Sequence, residues 1–442
     1  MINDEINIKF LQKNNLIKAT LLGLFFWLLI FLFVPLKLKQ EIGFLPFFYI
    51  FINYIAFLLG IKIISTIKKE KRVSFKLNKR LLAKVFWFFF TVALLGFLLK
   101  TFDKFYIRGV SLSYSMSYNR ILLERAGASI ISILSAVIAP FSFIPLFIYY
   151  TKNKKNILQY IFSLFLFFSP IFDFIMMGSR SGIFVILLMF ALYLFYFKKL
   201  KLSFFKTFAL FAILCIIAIY STKLFIERTK DFAGTDKVAI EHMLKRSSYN
   251  FTITPTNATK TKIINSENKL LQAGRLTVIN FAQYYLHGVF EFGYLYNNYK
   301  NNHYYGAYTF NIFVKFINII FRTDINLEEI QNSPPRTGIY TTFFGPIFID
   351  FGWLAFVFMF FFGAIQKTIY NKCLEGRFQF IPLLFYFLII NFFMPVFNFI
   401  NGAQGLYIIT TFVLFPIIFI FLTGRLFLAI KNNKKLYIKI FK

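Results

Sequence analysis

The chain has 442 residues, 58% of them hydrophobic and 68 of them phenylalanine, a balance too apolar for an ordinary soluble domain. Lys and Arg number 50 against 18 acids, a formal charge of +32, but the cations are spread over short loops and no nucleic-acid module is recognisable, which excludes that class of partner. The two cysteines, Cys215 in an apolar run and Cys373 in a loop, offer neither a disulfide nor a metal framework.

In chain order, apolar blocks near the ~20 residues needed to cross a bilayer predict ten spans. They fall at 19–36, 42–64, 82–100, 126–150, 158–177, 183–197, 204–220, 341–363, 379–398 and 403–424. The first is no cleaved leader, because it lacks a small-residue cleavage site and runs into Lys37 and a second span. Loop 66–81 carries Lys68, Lys69, Lys71, Arg72, Lys76, Lys79 and Arg80, and loops 151–157 and 198–206 and the tail from Arg425 are also basic. The positive-inside rule places these loops and both termini in the cytoplasm. Lys37 and Lys39 run against the pattern. The expected fold is an all-α polytopic transmembrane bundle, with a GT-C-like arrangement as a candidate. It divides into a membrane part at 1–220, a large external loop at 221–340 and a second membrane part at 341–442.

A smaller external loop covers 101–125. Within the large one, 236–269 is rich in Thr, Asn and Lys and reads as mobile, and Asn250 and Asn257 each head a glycosylation-type triplet that chance explains. The stretches 270–292 and 308–321 are apolar with helical spacing, and are expected to lie at the membrane interface as a roof over an external cavity.

Ionisable residues in or beside spans are costly and point to function. Asp173 ends the fifth span, and Asp350 lies in the eighth, where Gly345 and Pro346 are expected to loosen the helix. Arg180 occupies a gap of a few residues between two spans, on the external face where short loops avoid cations. Seven residues separate it from Asp173, so the two share a face if the helix continues. His287 and Glu291 are four apart, the spacing at which a carboxylate on the same helical face orients an imidazole as general base. His303 is a second candidate imidazole. External arginines, Arg108, Arg180, Arg275 and Arg336 among them, suit bidentate recognition of phosphate. The chain lacks a Walker loop, an Asp-x-Asp motif, His-Glu-x-x-His and Gly-x-Ser-x-Gly, which argues against nucleotide-driven and metal-dependent chemistry. No cofactor is expected.

Three runs carry a family resemblance: Gly178-Ser179-Arg180-Ser181-Gly182, Gly306-Ala307-Tyr308-Thr309-Phe310, and the stretch from Thr341 to Leu354 containing Asp350-Phe351-Gly352. With the span layout and the late external loop, they resemble the O-antigen (oligosaccharide repeat-unit) polymerases. The resemblance implies an inner-membrane enzyme of a Gram-negative bacterium that joins undecaprenyl-diphosphate-linked repeat units on the periplasmic face. It would act with a chain-length regulator and membrane lipid as partners. In that reading Arg180, Arg275, Arg336 and Arg108 bind diphosphate, Asp350 or His287 with Glu291 acts as base, and Asp173 and His303 give support. An O-antigen ligase and a lipid-linked oligosaccharide flippase are the rival readings.

Overall fold

Backbone amides and carbonyls have no water to bond inside a bilayer, so an apolar chain crosses it as helix. The computed structural model describes residues 15–65, 79–125 other than 112 and 115, 130–152, 156–176, 180–197, 234–401 and 404–423. It also describes positions 212, 219, 222 and 226 and the short segments 429–431 and 434–436. The N-terminal part holds α1 (Asn15–Phe33), α2 (Phe44–Ile63), α3 (Lys79–Phe102), α4 (Met116–Arg125), α5 (Ile130–Ile138), α6 (Phe143–Thr151), α7 (Ile157–Met176) and α8 (Arg180–Tyr196). The insertion between the two membrane parts holds α9 (Asp236–Arg246), α10 (Asn257–Ile264), α11 (Lys269–Asn298), α12 (Asn311–Phe321) and α13 (Leu327–Asn332). The C-terminal part is α14 (Phe344–Phe351), α15 (Ala355–Leu374), α16 (Ile381–Phe393) and α17 (Gly405–Thr423).

Among the described residues, 7 helical runs are long and apolar enough to cross a membrane, and Gly182–Tyr196 and Phe378–Phe393 are apolar but shorter. These match all the expected spans except 204–220, which lies outside the described residues apart from 212 and 219. The span expected at 126–150 is broken into α5 and α6 by a 3-10 turn at Ala139–Ser142, where Pro140 lacks an amide donor. The eighth breaks too, but not at Pro346, which sits in the first turn of α14 where proline is accepted. The break is at Gly352, whose φ of 52° ends α14 and leaves room for the His303 ring against it. Cys373 lies buried within α15 rather than in a loop.

Lipid gives helices little hydrophobic reason to associate, so close packing depends on small residues and shared hydrogen bonds. The α2–α15 contact shows the first and the α15–α16 contact the second. A Cβ at Gly60 would strike the Phe360 carbonyl oxygen, and one at Gly363 would strike the Phe57 carbonyl oxygen. Further along, Gln366 of α15 and Asn391 of α16 exchange amide hydrogen bonds of 3.0 and 2.8 Å in the interior. Tyr49 of α2 is fully buried and donates its hydroxyl to the Gly352 carbonyl at 3.0 Å. Its ring meets Phe292 of α11 and Phe348 of α14, both 5.4 Å away, so one side chain locks three elements together.

The segment 236–269 is ordered, against the expectation of mobility. Its polar residues are helix caps: Thr235 begins α9, Thr256 begins α10 and Asn268 begins α11, each side chain accepting an amide of the first turn. Between α9 and α10, β2 (Ile253–Pro255) pairs antiparallel with β1 (Leu36–Leu38), the connection from α1 to α2. Lys37 and Lys39, which run against the charge pattern, belong to this pairing. Asn250 is buried, with its amide bonded to the Leu244 carbonyl and to Gln283, whereas Asn257 is exposed. The stretch expected at 270–292 is the long helix α11, 30 residues or about 45 Å. Its first half covers α9 and α10, and residues 285–293 are buried inside the bundle mouth, so it is more than an interfacial lid. In the stretch 308–321 only α12 is α-helical, and its Phe313, Ile317 and Ile320 face outward.

Gly363→Leu should be the more disruptive kind of overpacking, because backbone rather than a movable side chain stands opposite. A loss of about 3 kcal/mol or more is expected, read as a lower thermal midpoint of the detergent-solubilised protein.

Candidate functional site

The second half of α11 sets Gln283, His287 and Glu291 at four-residue intervals, hence along one helical face. The His287 ring turns back along the helix, and its Nδ1 donates to the carbonyls of Gln283 (3.0 Å) and Tyr284 (2.9 Å). That places the proton on Nδ1 and leaves the lone pair on Nε2, which is buried without a hydrogen-bond partner. Tyrosine rings wall this nitrogen: Tyr249 at 4.3 Å between centroids, Tyr284 at 6.0 Å and Tyr340 at 6.3 Å. Burial lowers the His287 pKa from 6.5 to about 4; the two carbonyl bonds oppose the drop and the nearby Arg336 charge adds to it. The imidazole is therefore neutral at physiological pH.

Glu291, one turn further, does not orient this imidazole as the spacing suggests. Carbonyls on its own helix hold the ring instead, and the carboxylate takes Arg336. Arg336 Nη1 reaches both Glu291 oxygens, at 2.8 and 2.9 Å, and Nη2 donates to the Ser248 carbonyl at 3.3 Å. Thr252 Oγ1 donates to the same carboxylate at 3.0 Å, and the guanidinium lies 3.7 Å over the Phe251 ring. Burial raises the Glu291 pKa above its ordinary value, with Arg336 and Thr252 opposing the rise. The Glu291 side chain is 1% exposed and that of Arg336 20%, so the cation is the member of the pair that reaches the surface.

Asp350 is fully buried at the end of α14. Its carboxylate accepts the amides of Tyr308 and Thr309, both at 2.8 Å, and its carbonyl accepts the Tyr305 amide at 2.8 Å. The expected role as base gives way to a clamp on the 304–309 turn, because the oxygens are turned onto backbone donors and away from solvent. His303 belongs to the same clamp, with Nδ1 donating to the Ile349 carbonyl at 3.2 Å. It lies beyond the far end of α11, about four turns from His287.

Asp173 is held by Lys100 at 2.7 Å and Lys104 at 2.6 Å, a turn apart at the end of α3. Arg108, past the π turn at Asp103–Ile107, pairs with Asp103 at 2.8 Å and donates to the Leu123 carbonyl at 2.7 Å. The helix expected to continue from Asp173 to Arg180 falls on residues that are not described: α7 is described as far as Met176 and α8 from Arg180. Residues 177–179 and the Arg180 side chain lie outside the described residues. Arg275 bonds the Lys262 carbonyl at 3.3 Å and sits about 18 Å along α11 from His287, so it does not join Arg336.

Of the anticipated residues, then, His287, Glu291 and Arg336 converge, Asp350 and His303 form a second cluster, and Asp173 and Arg108 sit on a third. Residues 394–401 and Gln404 touch all three: Tyr340 packs edge-on to Phe397 at 4.3 Å, Asn401 donates to the Tyr308 carbonyl at 3.5 Å, and Lys100 donates to Gln404 at 3.3 Å. Sequence reading missed Tyr249, Tyr340 and Thr252, which carry no local signal. Lys100 and Lys104, at i and i+4 at a span end, were visible to the rule that intramembrane charge is functional or paired. Among the described residues no His, Cys, Asp and Glu gather into a metal-binding group. Chemically, the first cluster offers a neutral imidazole with a bare Nε2 beside a partly exposed guanidinium. Comparison with family models, curated proteins and solved structures finds no match to this chain.

Because the unfolded imidazole titrates near 6.5 and the folded one near 4, the unfolded chain binds the extra proton between those values. Stability contributed by the neutral ring is present above pH 6.5 and lost as pH falls toward 4, about 3 kcal/mol in all. Thermal unfolding across that window should show the loss, and His287→Phe should flatten it. Asp350→Asn sets an amide donor against one of two backbone donors and should cost about 1–3 kcal/mol, seen as faster proteolysis in the 304–309 turn.

Proposed function

We propose that the chain is a membrane glycosyltransferase of the glycan-polymerase kind, joining undecaprenyl-diphosphate-linked oligosaccharide units on the periplasmic face of a bacterial inner membrane. The single observation that carries the reading is the pairing of a neutral His287 with a bare Nε2 and a surface-reaching Arg336, on one helix-anchored cluster at one end of an apolar bundle. The ten-span topology, with both termini cytoplasmic and the 221–340 segment external, belongs to this proposal, as does a GT-C-like arrangement.

In the reaction an acceptor hydroxyl attacks the anomeric carbon of the donor glycan. A carbon–oxygen bond forms there as the bond to the lipid diphosphate breaks. His287 Nε2 takes the hydroxyl proton once Tyr249 or Tyr340 swings aside, and its Nδ1 proton stays on the α11 carbonyls. Arg336 faces the charge that grows on the departing diphosphate; held in advance by Glu291, it needs no reorganisation at that moment. The donor's lipid remains in the bilayer, which suits a site at the bundle mouth, and the activated substrate requires no nucleotide.

In cells lacking the native gene, Arg336→Ala should abolish the ladder of surface-glycan lengths, an effect of about a hundredfold on chain growth. Arg336→Lys, which keeps a charge for Glu291 and so the fold, should still lose most of it because a lysine cannot present two parallel donors. A normal ladder in the Ala variant rejects the role. Gene loss that leaves single repeat units on the lipid core supports a polymerase, whereas bare core indicates a ligase. Proteoliposomes that translocate lipid-linked units without extending them indicate a flippase.

A further inference from the structure

Four non-glycine residues among those described have positive φ: Tyr305, Arg322, Thr342 and Gln404. Tyr305, at φ 49°, differs from the others in being a bulky aromatic whose side chain is 80% exposed. The left-handed region crowds Cβ against the backbone, and it is glycine or asparagine that normally fills such a position. Nothing in the fold needs the ring. The turn is set from beneath by Asp350 and Ile349, through the amides of Tyr304, Tyr305, Tyr308 and Thr309, and Gly306 follows with φ 102°. Those bonds are made by backbone and would survive any side chain at 305. The chain thus holds an aromatic ring in water, in a conformation that resists it, on a turn clamped by a buried carboxylate.

We propose that Tyr305 is a stacking platform for a pyranose ring of the glycan, presented by the Asp350-clamped turn; this rests on the polymerase reading above. A pyranose offers an apolar face of C–H groups bordered by hydroxyls, and its recognition calls for a rigid aromatic surface with amides near it. Amides come just before this ring in the chain: Asn301 and Asn302, four and three residues ahead of Tyr305, are exposed, and Asn301 donates to the Ser333 carbonyl at 2.9 Å. The outward apolar face of Phe313, Ile317 and Ile320 lies on α12 instead, so a headgroup-level membrane anchor is better supplied there.

The test uses the full chain in phospholipid nanodiscs and, as probe, water-soluble polysaccharide released by mild acid from cells that make the glycan. Binding is followed by saturation-transfer NMR. Tyr305→Ala and Tyr305→Gly should weaken binding roughly threefold to tenfold, while Tyr305→Phe retains it. Tyr305→Gly should also melt at the same temperature as the parent or higher, since it relieves the backbone, which separates lost recognition from lost folding. Unchanged binding in the Ala and Gly variants, no binding by the parent, or a Tyr305→Leu variant equal to Phe would each overturn the platform, the last by pointing to lipid anchoring. The ladder experiment reads Arg336 and the binding experiment reads Tyr305, so their failures reject different claims.

Discussion

A carboxylate taken out of water survives only where fixed donors meet it, and this bundle is organised by three that are met in three ways. Asp173 receives two lysines, Glu291 an arginine and a threonine, and Asp350 two backbone amides. Each fastens a segment that the chain would otherwise leave loose. Asp173 ties α7 to the end of α3, Glu291 draws in the connection carrying Arg336 from 45 residues away, and Asp350 pins the turn at 304–309. With 18 acids to 50 cations in the whole chain, acids are scarce, and these three are spent inside.

α11 converts those fastenings into one frame. Its length lets the first half carry the small cluster with α9 and α10, while the second half enters the mouth beside Tyr49, Phe348 and the break at Gly352. The neutral state of His287 follows from this position: the ring is too deep to be solvated as a cation, and its one proton is committed to the helix carbonyls. Depth also protects Nε2 with tyrosines drawn from three separate stretches, Tyr249, Tyr284 and Tyr340.

Reading residues in isolation succeeded where one element decides the matter. Among the described residues the apolar runs became helices, since membrane length is a local constraint, though the runs Arg80–Ile107 and Phe344–Leu374 continue well past their expected ends. It failed where a second element supplies the partner. The polar stretch 236–269 looked mobile because its Thr and Asn residues have no apolar pattern, yet Thr256 and Asn268 cap two helices, Thr235 just ahead of it caps a third, and a strand within it pairs with residues near 37. His287 and Glu291 had the right spacing to meet, but Arg336 and the helix carbonyls compete for them and are closer to ideal. Asp350 read as a reactive acid because burial of an ionisable group signals function, and no local feature announces that the Tyr308 and Thr309 amides will arrive.

By itself the sequence determined that this is a helical, membrane-embedded chain with a substantial polar insertion, because hydrophobic length and charge placement act residue by residue. Only the tertiary structure decided which ionisable groups are chemical candidates and which are fastenings. That distinction depends on donors within about 3 Å, and those donors come from helices and turns far apart in the chain.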